Sequence, residues 1–293
     1  MKHCLQVLSA ILLLASTSSC IRSNTIIQVK KDGAGSILVR YHFSPQMLAM
    51  VEQLGALGSI SLGGNSGVQG PNFALLGSLA KPTRESLETD AANYGSGVRY
   101  LRHEDGADDG GWPGYTVEYA FDDVRTVRVD QKSVPGGAQK FVESSGQNLD
   151  AKKAGELTFG LESGVLTIHS TFLAAGVDGI VDQGQLAGLN QAGMEPVEAM
   201  QMASGMMEGM RVGVFVKVLD GISETNASHV NGNTIILSEV DIAQVLKDPD
   251  FAALLNKAAA DPASIGTDGL LEAFGKIEGL TFETAPIVRV KMP

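Results

Sequence analysis

Short runs of β-forming residues, each closed by a tight glycine-containing turn, recur along the chain and restrict it to folds assembled from hairpins. Residues 25–29 and 36–43 flank Lys30-Lys31-Asp32-Gly33-Ala34-Gly35, and residues 156–161 and 165–172 flank Glu162-Ser163-Gly164. Nearer the C-terminus, residues 211–219, 222–230 and 234–237 are parted by Asp220-Gly221 and Asn231-Gly232-Asn233. Glycine accepts the positive φ that such turns need, so each predicts two adjacent antiparallel strands. Residues 97–103 and 115–121 predict a longer hairpin around the hydrophilic loop 103–111, residues 211–219 read as a fully buried strand, and residues 280–290 close the chain as another. Helical spacing separates these runs. Ser44-Pro45 supplies an N-cap and a proline at the first helical position, after which Met47, Leu48, Val51 and Leu54 predict a helix over 45–56. Further helices are expected over 83–94, 184–210 with a break at Pro196, 240–246 and 249–259. The fold class expected is α+β, a largely antiparallel sheet built from hairpins with several packed helices.

The first twenty residues have a separate logic. Met1-Lys2-His3 gives a positive tip, residues 5–15 are apolar apart from Gln6 and Ser9, and Ser16-Thr17-Ser18-Ser19 precede Cys20. That is the pattern of a secretory leader, and the apolar run is too short to span a hydrocarbon core of about 30 Å. A cysteine directly after the small residues marks a lipoprotein leader, with residues 1–19 removed and the Cys20 thiol carrying a diacylglyceryl group. Thr17 stands where Leu is commonest in that motif, which leaves ordinary secretion open as the alternative. Two or three acyl chains, at about 0.8 kcal/mol per buried methylene, would hold the protein on a membrane permanently. The localisation expected is the bacterial cell envelope. Ile21 rather than Asp after the cysteine points to the outer membrane in a Gram-negative host.

Composition narrows the function. Cleavage after residue 19 would remove only Lys2 of the charged residues, leaving 21 Lys+Arg against 33 Asp+Glu and a formal charge of −12. With no basic cluster to offset it, such a surface repels nucleic acid, which is excluded as a partner. Cys4 and Cys20 are the only cysteines, the first lost with the leader and the second acylated, so stability must come from burial rather than disulfides. The division expected is a leader at 1–19, an N-terminal α+β region at 20–135 and a C-terminal α+β region at 155–293, continuous with each other if the polar stretch 135–154 is no break.

Catalytic and metal templates find little to match. A serine hydrolase elbow needs glycines two residues either side of the nucleophile, and Gly64-Asn65-Ser66-Gly67-Val68 fails at Val68. A dinucleotide fingerprint needs a third glycine where Leu38 follows Gly33-Ala34-Gly35. His42, His103, His169 and His229 lie too far apart for a helix-borne zinc pair. Glu104, Asp105, Asp108 and Asp109 could gather around calcium or form a solvated loop, and they lack the alternation of an EF-hand. No cofactor is expected. The segment bearing Met194, Met200, Met202, Met206, Met207 and Met210 offers an adaptable apolar surface, with Met200, Met206 and Met207 as candidate contacts; core filling is the alternative.

Two stretches carry a resemblance: Cys20 through Lys31-Asp32-Gly33-Ala34-Gly35-Ser36, and Gly209-Met210-Arg211-Val212 through Gly221, Thr225-Asn226-Ala227 and Leu237. They resemble bacterial lipoproteins in which a lipid-bearing cysteine precedes a glycine-containing strand turn and a later three-stranded module, and are loosely similar to the LppM-type lipoproteins of mycobacteria. The resemblance covers about a quarter of the chain. It implies a non-enzymatic envelope protein that binds lipid or glycolipid, and it assigns no site residues. The function expected is a non-catalytic, membrane-anchored lipoprotein binding a partner protein or an apolar ligand such as lipid. The alternative is a hydrolase of envelope material with a site assembled from dispersed residues.

Overall fold

A computed structural model describes residues 21–56, 73–130, 156–171, 209–260 and 273–293. β1 (Ile21–Val29) and β2 (Gly35–Phe43) form the hairpin expected at Asp32-Gly33. The Lys30 N–H donates to the Ala34 carbonyl at 2.9 Å, and Gly33 takes a φ of +91°. β2 pairs antiparallel with β4 (Pro113–Phe121), and β4 with β3 (Arg99–Ala107). On its other side β1 pairs in parallel with β8 (Arg211–Val218), Ile27 opposite Val216, although about two thirds of the chain's length separates them. β8 continues antiparallel to β11 (Thr234–Asp241), which carries β10 (Val230–Asn231) and β12 (Leu280–Phe282). The result is an eight-stranded sheet of order β10-β11-β8-β1-β2-β4-β3, with β12 also on β11.

Strand periodicity then decides which face is buried. Ile27 and Val29 of β1, Ile37, Val39, Tyr41 and Phe43 of β2, Tyr115, Val117, Tyr119 and Phe121 of β4, and Val216 and Val218 of β8 all turn to one side and lose their contact with water. Each such burial is worth about 1.5–3 kcal/mol relative to exposure. A second sheet of order β5-β6-β7-β13-β9 contributes to the same core. It consists of β5 (Arg128–Val129), β6 (Leu157–Glu162), β7 (Val165–Ser170), β9 (Glu224–Thr225) and β13 (Ile287–Lys291), with Leu157, Phe159, Leu166, Ile168, Val288 and Val290 inward. The two sheets meet where β1 turns into β2. There Lys31 N–H donates to Asp220 at 2.7 Å, and a Cβ on Gly33 would lie 3.0 Å from Leu161.

Short helices close the rest. α1 (Pro45–Ala56) starts where the Ser44 hydroxyl accepts from Met47 N–H at 3.2 Å, and α3 (Arg84–Asp90) where Thr83 accepts from Ser86 N–H at 3.1 Å. With α2 (Phe73–Ala80) and a 3-10 turn at Ala91–Tyr94, they place Met47, Leu79, Leu87 and Tyr94 in the common core. α4 (Ile242–Lys247) and α5 (Pro249–Ala260) follow β11, and Val245, Phe274 and Ile277 make a small separate cluster.

Several expectations require correction. The protein is mostly β, with two sheets and five helices of at most 12 residues among the described residues, and not an α+β fold of packed helices. The hairpins join edge to edge into two continuous sheets that supply most of the core, to which the short helices add Met47, Leu79 and Leu87. The largest sheet is mixed, because β1·β8 is parallel. The long 103–111 loop is shorter than expected, since β3 runs to Ala107 and carries Glu104 and Asp105 within the strand. β8 alternates between covered and exposed positions rather than being buried throughout. Only Glu224–Thr225 of residues 222–230 pairs as a strand before Val230, and Pro286 precedes a second strand where one was expected over 280–290. The expected helix over 184–210 and the break at 135–154 lie outside the described residues, apart from Gly209 and Met210.

Candidate functional site

The end of the large sheet at which β1 begins is built from charge pairs. Across it runs a transverse row: Asp241 opposite Arg211, Arg211 opposite Arg22, Arg22 opposite His42, and His42 opposite Gly114. The Arg22 guanidinium donates to Asp108 at 2.5 Å and to the Gly209 carbonyl at 3.0 Å, and lies 3.9 Å above the centre of the Trp112 ring. Asp108 also accepts from the backbone N–H of Gly110 at 2.9 Å and of Trp112 at 2.8 Å, which folds the Asp108–Trp112 turn around one carboxylate. Gly209, at φ +82°, leaves room for the indole: a Cβ there would fall 2.9 Å from Trp112 Cζ2. Partial burial works to raise the Asp108 pKa, yet the Trp112 N–H, Arg22 and the Gly110 N–H together hold it below the ordinary carboxylate value. Burial lowers the His42 pKa, with Arg40 and Arg22 adding to the effect against the pull of Asp108. Arg211 and Asp241 form a second pair at 3.0 Å.

Behind this end, on the inner face, lies a layer of tyrosines. Tyr41 stacks on Tyr115 with ring centres 5.7 Å apart, Tyr94 lies against Tyr119 at 5.0 Å, and Tyr100 meets Tyr119 edge-on at 6.4 Å. All five tyrosines of the chain therefore gather in one place. Tyr100 hydrogen-bonds His103 Nδ1 at 2.8 Å. The Tyr94, Tyr115 and Tyr119 hydroxyls are buried with no hydrogen-bond partner among the described residues. Burial raises all three pKa values far above the usual phenol range, and the nearby Asp90 carboxylate adds to it, so each is a neutral donor. An unsatisfied buried hydroxyl costs about 1–3 kcal/mol, so the three together are a concentrated polar cost within an otherwise apolar layer.

Two shallow clefts lie elsewhere on the described surface. One of about 440 Å³ is lined by Arg125, Glu162, Thr167 and His169 on the small sheet, and one of about 520 Å³ by Asn93, Ser96, Arg128 and Asp130.

Of the residues singled out in the sequence, Cys20, Met200, Met206, Met207 and Ser66 lie outside the described residues. The four histidines fall on β2, β3, β7 and the approach to β10, and no group of three or more His, Cys, Asp or Glu that could hold a metal occurs among the described residues. The acidic stretch is divided by its partners: Glu104 pairs with Arg102 at 2.5 Å, while Asp108 belongs to Arg22. Sequence reasoning missed both the Arg22–Asp108–Trp112 unit and the tyrosine layer. The first joins residues 86 apart and had no local signature. The second had one, since Tyr115 and Tyr119 alternate with Val117 and Phe121 and must share a face.

No family model and no curated protein matches the chain. Among solved structures it is similar to the folded domain of the LppM protein of Mycobacterium tuberculosis, at 12% identity and a TM-score of 0.29, over 75% of this chain and 82% of that one. The likeness is loose, and it says nothing of what this chain binds. No described helix is long and apolar enough to cross a membrane.

Proposed function

We propose that this chain is a non-catalytic, lipid-anchored protein of the bacterial envelope that binds a partner protein or an apolar ligand. The observation that carries the reading is the position of Cys20, which follows an apolar leader and small residues and stands directly before the first residue of β1. Growth with a labelled fatty acid tests the anchor: the wild-type chain should take up label and Cys20→Ala should not, and equal labelling would overturn it.

The three unpartnered tyrosine hydroxyls are what favours the ligand half of the reading. Three neutral donors facing no described partner inside an apolar layer suit the polar atoms of a largely apolar molecule. Met200, Met206 and Met207 are proposed as further contacts, because thioether side chains adapt to irregular apolar surfaces. Extraction of the purified protein followed by lipid mass spectrometry should recover a bound amphiphile in the wild type and less of it in Tyr115→Phe. A clean blank would argue against a ligand and leave a partner protein as the binding function.

A further inference from the structure

The geometry points to a fixed seating of this protein on its membrane: the end of the large sheet where β1 begins rests directly on the headgroup layer, with the Trp112 turn in contact with it. The inference rests on acylation of Cys20 as proposed above and adds to it an orientation and a contact surface.

The first argument is one of length. A single trans peptide separates Cys20 from Ile21, so their Cα atoms are about 3.8 Å apart. Ile21 is already strand, paired with Phe43 and packed against the core. No flexible spacer intervenes between an acylated residue 20 and the rigid sheet. The thioether-linked glycerol must lie at the boundary between hydrocarbon and headgroups, so whatever surrounds Ile21 on the protein is brought to that depth.

The second argument concerns what surrounds it. The neighbours are the Asp108–Trp112 turn, the start of α1 after Ser44, the entry to β8 at Gly209 and the end of β11 at Asp241. Arg22 and Arg211 are matched by Asp108 and Asp241, so the transverse row is close to neutral, with the exposed Asp109 of the turn adding one negative charge, although the mature chain as a whole would carry −12. A paired row of this kind suits a zwitterionic surface, whereas an anionic one would call for unpaired basic residues. Trp112 is the only tryptophan of the chain and is half-buried, held edgewise by Gly209 and covered on one face by Arg22. An indole with one apolar body and one N–H donor is the side chain that headgroup layers accommodate best.

Because Trp112 is unique, it reports on the contact without labelling. The chain would be expressed with its leader, extracted from membranes, weighed by mass spectrometry and reconstituted into phosphatidylcholine vesicles, either plain or brominated near the glycerol end of the acyl chains. Brominated vesicles should quench Trp112 emission. A spacer of about ten Gly and Ser residues between Cys20 and Ile21, which lets the body drift by roughly 16–19 Å, should restore it. Equal emission in the two vesicle types, from protein whose mass includes the lipid, would overturn the seating while the anchor stood; quenching that persists with the spacer would support the contact as one that the Trp112 face makes by its own affinity. A membrane-extracted chain lacking the acyl mass would instead overturn the anchor, and the seating with it.

Discussion

Asp108 has more partners than any other described carboxylate at the β1 end, accepting from two backbone N–H groups and one guanidinium. Hydrogen bonds to a charged group are worth about 1.5–3 kcal/mol each before the loss of one is softened by water, so Asp108→Ala should cost about 2 kcal/mol in urea unfolding and shift Trp112 emission to the red as the indole loses its cradle. Acid should act through the same residues in two stages. Burial keeps His42 neutral, with its folded pKa below 6.5; the unfolded state then binds the proton more readily, and stability falls as the pH drops below 6.5. Asp108 is the opposite kind of group, a carboxylate whose folded pKa lies below 3.8; its contribution is complete above that value and is lost as the pH falls through the folded one. A pH series of unfolding midpoints should show both stages in the wild type, and His42→Gln should keep only the lower. At this scale the turns were legible, as at Ser163-Gly164, whose φ values of 51° and 76° are those of a two-residue hairpin loop. The Arg22–Asp108–Trp112 unit was not, because its members meet only once strand order is settled.

Strand pairs are where the chain is least forgiving. A Cβ on Gly35 would stand 1.9 Å from the Gln28 carbonyl oxygen and 2.6 Å from the Phe121 ring, so Gly35→Ala must push apart two strands or a buried aromatic. The expected loss is about 3 kcal/mol, readable as a lowered thermal midpoint, and a midpoint unchanged within error would contradict the packing described. The exposed edge strand β3 is guarded by Arg99, Arg102, Glu104 and Asp105, charges that discourage further pairing. Local pattern located most of these strands and the helices of α1, α4 and α5. It overstated the part that helices play in the architecture, because helical spacing shows where a turn of helix can form and not whether helices will build a layer beside the sheets. In the described residues α1 packs on α2 and α4 on α5, while most of the core comes from the strands.

The molecule as a whole is tied together by partners far apart in sequence. β1 occupies the interior of the large sheet between β2 and β8, and β13 the interior of the small one between β7 and β9. Removing residues 287–293 should therefore expose Leu166 and Ile168 and undo the small sheet, with rapid protease cleavage within residues 156–171 as the readout. Loss confined to the last few residues would mean that β13 matters less than its place suggests. None of this nesting was readable from hairpin signals, which specify neighbours in sequence and are silent on the parallel contact between β1 and β8.

That contact also bears on how such a chain would leave the cell interior. Because the first strand has no second neighbour until residue 218 has been made, and the small sheet has no centre until residue 291, the emerging polypeptide cannot complete either sheet part-way through synthesis. Were the chain exported as proposed above, a precursor that stays loose until it is nearly finished would be well matched to threading through a narrow channel.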